Sequence, residues 1–239
     1  MTHPTPSSMP MRRTPPKATT APLGSNSTPP DPSGWRDDIS LPPATLHLFL
    51  DTGIWYSIAN SLQHAGTHLA AVVKGHETNQ TIANEVAKEP VGRSGAVPGY
   101  QMIVELVGRD SRDPCPPAAS PNTVQLIQKQ LIADSQRRTR VAATSPAARR
   151  AHAGEAELIA CARTHQPAAL VATNDAGASA VAFRHNVDSV HFGHVVRAAV
   201  TEGALSVDDA LLAYSAGLAV SGLPTWERTR TETAAWLST

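Results

Sequence analysis

The stretch Leu46-His-Leu-Phe-Leu-Asp-Thr-Gly-Ile-Trp55 decides the fold. Leu46 to Leu50 is a short apolar run, the pattern of a strand buried on both faces. It stops at Asp51, and after Gly53 the period changes: Ile54, Ile58 and Leu62 recur every four residues, which predicts a helix. Strand, then Asp-Thr-Gly, then helix is an α/β signature. A carboxylate at the tip of a buried strand suits two chemistries. An aspartic protease shares a proton between two such aspartates, whereas a metal-dependent phosphodiesterase uses the carboxylate to hold a divalent cation.

Outward from this stretch, the pattern repeats. Ala168-Ala-Leu-Val-Ala172 is a second apolar run, and it ends in Thr173-Asn174-Asp175. Tyr100 to Val107 predicts a further strand. Helices are predicted over Thr81–Glu89, from Thr123 onward through Ile127 and Leu131, and over Gly154–Arg163, Val195–Val200 and Val207–Val220. Ser206 and Asp209 form a capping pattern ahead of the last one. Residues 108–122 hold four prolines and predict a loop. Alternating strands and helices predict a parallel sheet with helices on both faces.

Residues 1–45 contain 11 of the 20 prolines, with many serines and threonines, and cannot bury enough apolar surface to offset their ordering entropy. They are expected to be a disordered tail without packing contacts, with the folded domain over 46–239; Met9 and Met11 are alternative starts. The 20 basic and 20 acidic side chains cancel, so binding to nucleic acid would need a local basic strip rather than a global field. Cys115 and Cys161 are isolated in sequence, which indicates neither a disulfide scaffold nor a zinc site. Without a secretory signal or a run of membrane-spanning length, the expected setting is cytoplasmic and reducing.

The carboxylates can then be weighed. Asp51 and Asp175 each follow a predicted buried strand, at the edge where an open parallel sheet binds ligands. Either one alone is equally well read as a helix N-cap. Glu85 lies beside the apolar stripe of its helix, next to Ile82 and Val86. In His152-Ala-Gly-Glu-Ala-Glu-Leu-Ile-Ala-Cys161, Glu155 and Glu157 fall in a first helical turn, where the macrodipole favours carboxylates. Two positions apart, they point in different directions, so one of them can share a site with the aspartates.

An aspartic dyad needs a second Asp-Thr/Ser-Gly or a β-rich dimer, and here helical periodicity follows the single Asp-Thr-Gly. An Asp-x-Asp phosphatase nucleophile fails at Gly53, and no Gly-x-Ser-x-Gly, P-loop, Gly-x-Gly-x-x-Gly or His-Glu-x-x-His occurs. His191 and His194 read as surface or core residues.

The order strand-Asp51, helical Glu85-Val86, Gly154-Glu-Ala-Glu-Leu-Ile-Ala160 and Thr173-Asn174-Asp175 resembles the PIN-domain nucleases. It is most similar to the branch with a Gly-Glu-Ala-Glu helix, related to VapC-type toxins, and the resemblance spans about residues 46–220. It implies a three-layer α/β/α sandwich around a central parallel sheet and a metal-dependent endoribonuclease. Asp51, Glu85, Glu157 and Asp175 would be catalytic metal ligands, with Glu155, Thr173 and Asn174 supporting them or serving as alternative ligands. Ser179 departs from the pattern, since relatives often carry a basic residue four positions after the last acid.

Clustered carboxylates raise one another's pKa, and a hard divalent cation with all-oxygen ligation, Mg²⁺ or Mn²⁺, would relieve this. The partners implied are an RNA substrate, a small antitoxin protein and a second copy of the chain. Two alternatives stay open: a catalytically silent PIN-like binding or scaffold protein, and a DNA-directed nuclease.

Overall fold

The computed structural model describes residues 41, 47–65, 67–73, 80–87, 99–110, 120–139, 151–221 and 230–239. In chain order these form β1 (His47–Leu50), α1 (Thr52–Ala65), α2 (His68–Val72), α3 (Gln80–Ala87), α4 (Tyr100–Asp110) and α5 (Pro121–Thr139). Then follow α6 (Ala153–Thr164), β2 (Ala169–Ala172), α7 (Ala176–Arg184), β3 (Asp188–Val190), α8 (Phe192–Thr201), α9 (Val207–Ser221) and α10 (Arg230–Leu237). The architecture is α/β and mostly helical, with a small parallel sheet in the order β1-β2-β3.

Leu48, Phe49 and Leu50 on β1 and all four residues of β2 are buried, as a strand covered on both faces requires. Pairing is in register, Leu50 with Ala172 and Ala172 with Val190, so all three strands end at one level. Asp51 N donates to Ala172 O at 3.0 Å and Thr173 N to Val190 O at 2.9 Å, which carries the ladder one residue past the strands. The residues after the strands, 51, 173 and 191, are thereby lined up along one edge.

Helix α6 packs on β1 and β2, and α5 packs against both α6 and α7. Elsewhere α1 runs along α9, where Ser57 Oγ donates to Gly217 O at 3.3 Å and Ser61 Oγ to Ala213 O at 2.7 Å. The core between these elements includes Trp55, Phe49, Phe192, Ile54 and Ile58, all nearly inaccessible. Ser206 caps α9 as its sequence predicts, accepting from Asp209 N at 3.1 Å and donating to the Asp209 carboxylate at 2.6 Å.

Several expectations are corrected. Tyr100–Val107 is helical. Ile103 and Val107 are buried while Gln101 and Glu105 are exposed, a spacing of four that alternation in a strand cannot produce. At the edges of the proline-rich stretch, residues 108–110 close α4 and 121–122 open α5; residues 111–119 lie outside the described residues. Helices α2, α7 and α10 and strand β3 carry no periodicity long enough to have marked them. Leu41, the one described residue of 1–45, packs half-buried against the core, against the expectation that this stretch makes no packing contact. The rest of the predicted tail lies outside the described residues. Cys161 is buried in α6 and disulfide-bonded, which overturns its reading as an isolated thiol; Cys115 lies outside the described residues. Among the described residues, no helix is long and apolar enough to cross a membrane.

Candidate functional site

The aligned strand tips bring Asp51 and Asp175 together through one hydroxyl. Thr173 Oγ1 donates to Asp51 Oδ2 at 2.9 Å and accepts from Asp175 N at 3.1 Å. The other oxygen, Asp51 Oδ1, accepts from Thr52 N at 2.7 Å as α1 begins. Asp51 is only 7% exposed. Its pKa is pushed up to about 8, first by burial and then by the charge of Glu155, with Asp175 adding to it. The bonds from Thr173 and Thr52 oppose that rise. Among the described residues, no ion pair with Asp51 offsets that rise.

Asp175 is held differently. It is the N-cap of α7, its Oδ1 accepting from Gly177 N at 2.6 Å, so the capping alternative is realised here. The same oxygen accepts from Arg138 Nη1 and Nη2, both at 3.1 Å. Gly177 makes this approach feasible, because a Cβ there would stand 1.8 Å from Arg138 Nη2. All three bonds use Oδ1.

Between them, Asn174 works as a clamp. Its Nδ2 donates to Ser57 Oγ at 3.0 Å and Gly53 O at 3.3 Å, while Oδ1 accepts from Phe192 N at 3.0 Å. These bonds tie the β2 tip to α1 and α8 and engage the amide oxygen that a ligand role would require.

Glu85 reaches the site from α3, its Oε2 accepting from Thr52 Oγ1 at 2.7 Å. Its other oxygen lies 3.5 Å from where a Cβ on Gly154 would stand, and Ile82 Cδ1 would be only 2.5 Å from that Cβ. The glycine of the Gly-Glu-Ala-Glu motif therefore lets α3 close against the first turn of α6.

The two glutamates of that turn diverge, as their spacing demands. Glu155 is the one whose charge acts on Asp51. Glu157 turns toward α3, its Oε2 accepting from Thr81 Oγ1 at 3.0 Å. Thr81 and Glu85 are one turn apart on the same face of α3, so Glu157 flanks the site.

Two residues without a role in the sequence reading belong to this neighbourhood. His152 precedes α6 with a left-handed φ of 61°, a conformation His tolerates better than most residues. Its Nδ1 lies 3.2 Å from Glu155 Oε1, and that hydrogen bond raises its pKa against the lowering effect of burial. The charges of Glu155, Asp175 and Asp51 raise it further. The second is Arg138, from the last turn of α5.

Ser179 is fully buried and 2.6 Å from Ser189 Oγ on β3. A cation at that position would be buried, and Arg138 brings one to Asp175 from another helix. His191 and His194 are core residues: both are buried, and they form the capping box of α8.

Among the described residues, no three His, Cys, Asp or Glu side chains stand close enough together to hold a metal ion as they are. The donor chemistry nevertheless suits a hard cation: oxygen ligands only, on carboxylates that repel one another. No protein-family model, curated protein or solved structure matches this chain.

Proposed function

We propose that this protein is a Mg²⁺- or Mn²⁺-dependent endoribonuclease with a PIN-like three-layer α/β/α domain, cleaving single-stranded RNA at the carboxyl edge of its sheet. The observation that carries this reading is the Thr173 hydroxyl that links the Asp51 carboxyl to the Asp175 backbone, with the charges of Glu155 and Asp175 reaching the buried Asp51. Asp51, Glu85, Glu155 and Asp175 are the proposed ligand set, with Glu157 beside Glu85 as the alternative to Glu155. A bound divalent cation would neutralise charge on the phosphodiester and acidify a water.

The chain's own groups have separate tasks. Thr52 N and Thr173 Oγ1 fix the Asp51 carboxyl in one orientation. Thr52 Oγ1 holds Glu85 toward the same strand tip. His152, whose pKa is raised by its hydrogen bond to Glu155, is a candidate to protonate a departing oxygen. Binding would require the carboxylates to draw closer together than they stand, and Asp175 would have to share or leave Arg138. A toxin role, with a small antitoxin partner and a homodimer, is the setting that the PIN resemblance implies.

The Arg138–Asp175 pair favours one rival, the catalytically silent PIN-like binding protein, because a cation already sits on the last acid. The test is cleavage of labelled single-stranded RNA by the full chain in Mg²⁺, with EDTA and Asp51→Asn as controls. The expected result is products with 5′-phosphate and 3′-hydroxyl ends, lost in EDTA and reduced by orders of magnitude in Asp51→Asn. Cleavage that survives EDTA, or a fully active Asp51→Asn, removes the metal mechanism. Binding without cleavage establishes the silent protein, and preferential cutting of DNA the alternative nuclease.

A further inference from the structure

Beside the carboxylates lies a surface of opposite sign. Asp134, on α5, accepts from Arg137 Nη2 at 3.1 Å, and its other oxygen lies 3.3 Å from Arg138 Nε. Arg184 Nη2, from the end of α7, approaches it at 3.8 Å. The Asp134 side chain is 17% exposed, whereas those of Arg137, Arg138 and Arg184 are 71%, 45% and 44% exposed. One half-buried carboxylate thus gathers three arginines from two helices and leaves their guanidinium faces in solvent.

A chain whose 20 basic and 20 acidic groups cancel has no global field, so such a local excess is what could attract a polyanion. Arg138 joins this surface to the acid site, with Nε on Asp134 and both Nη atoms on Asp175. Phe183, the residue before Arg184, is 47% exposed and offers a ring to an unpaired base. Guanidinium forks match phosphate oxygens, and an exposed aromatic on the helix that carries Arg184 suits a single strand better than an acidic peptide.

Resting on the nuclease reading, we propose that Arg137, Arg138 and Arg184, ordered by Asp134, are the phosphate-binding flank of the site, over which a single-stranded RNA backbone runs to reach the carboxylates. The neighbouring carboxylates repel the same backbone and so confine it to this side.

The test uses the full chain carrying Asp51→Asn, in EDTA so that RNA is not cut. Fluorescence anisotropy follows a labelled RNA of about 12 nucleotides, within the range of single-strand sites. Arg137→Ala with Arg184→Ala is expected to lower the slope of log Kd against log salt by about 1.4, and to raise Kd about 25-fold at 0.1 M salt. Arg137→Lys with Arg184→Lys keeps the charges and should restore the slope. If the alanine pair does not fold, Arg137→Gln alone carries the test at about fivefold.

Unchanged Kd and slope in these variants overturn the flank, as does polyglutamate displacing RNA at equal charge concentration. If wild-type protein cleaves RNA but the slope is unchanged, only the flank falls. If wild-type protein never cleaves but binds with an arginine-dependent slope, the nuclease reading falls and the flank stands.

Discussion

Asp51 and Asp175 each stand just before the helix that follows a parallel strand, one residue past β1 and three past β2, yet the protein treats them as different chemical groups. Asp51 is sealed beneath the α1 terminus, takes one backbone and one hydroxyl bond, and is pushed up to about 8. Asp175 stands nearer the surface, caps α7 and pairs with Arg138. Topology sets where a carboxylate sits, but burial and partners set what it does there. One acid is thus raised by burial while the other is capped and ion-paired.

The largest test of that contrast is the dependence of stability on pH in metal-free protein. The pKa of Asp51 is raised on folding, so the neutral form is favoured in the folded state. Its contribution to stability is full below the unfolded value of 3.8 and is lost as pH rises through about 8. A shift of that size corresponds to several kcal/mol, at about 1.4 kcal/mol per unit. Chemical denaturation of wild type should show this decline, and Asp51→Asn should flatten it and be the more stable protein above pH 8. Saturating Mg²⁺ should remove most of the difference. A wild-type profile as flat as that of the variant would show that Asp51 is already ionised, and the contrast between the two aspartates would disappear.

The next test separates the glutamates. Glu155→Gln removes the charge and weakens the bond that raise His152, so its NMR titration midpoint should fall toward the ordinary histidine range. The raised His152 stabilises the fold below its unfolded pKa and loses that effect as pH rises past its folded pKa. Glu157→Gln should leave the His152 midpoint in place and weaken only the bond from Thr81, at about 1 kcal/mol or less. If the RNA-cleaving activity depends on Glu157 and not Glu155, the ligand set is the one the PIN resemblance implies.

How much of this was legible in the sequence follows from the length scale of each feature. Buried parallel strands leave continuous apolar runs, so β1 and β2 and the acids at their ends could be read directly. Strand β3 could not: it is three residues long and two are polar, with Ser189 satisfied by Ser179 across the fold. Tyr100–Val107 misled because its β-branched and aromatic content suggested a strand while its buried positions follow a helical period. The capping role of Asp175 was visible as an alternative. Its bond to Arg138 was not, because it depends on how α5 docks on α7, 37 residues away in sequence. The choice between Glu155 and Glu157 likewise depends on which face of α6 meets the strand tips. Sequence could say only that the two must diverge.

The smallest effect is at Asp175. Asp175→Asn keeps an oxygen able to accept from Gly177 N, and Asn caps a helix about as well as Asp. What is lost is the ion pair with Arg138, whose side chains are 45% and 31% exposed. Exposed pairs contribute roughly 0–1 kcal/mol, so the variant should unfold within about 0.5 kcal/mol of wild type at neutral pH and moderate salt. Repeating the measurement in an Arg138→Gln background isolates the pair, and its coupling energy should shrink further as salt is raised. A loss of more than about 2 kcal/mol would mean that Arg138 anchors α5 to α7 and that Asp175 is structural. A near-silent variant, paired with lost RNA cleavage, leaves Asp175 as a carboxylate kept for its charge.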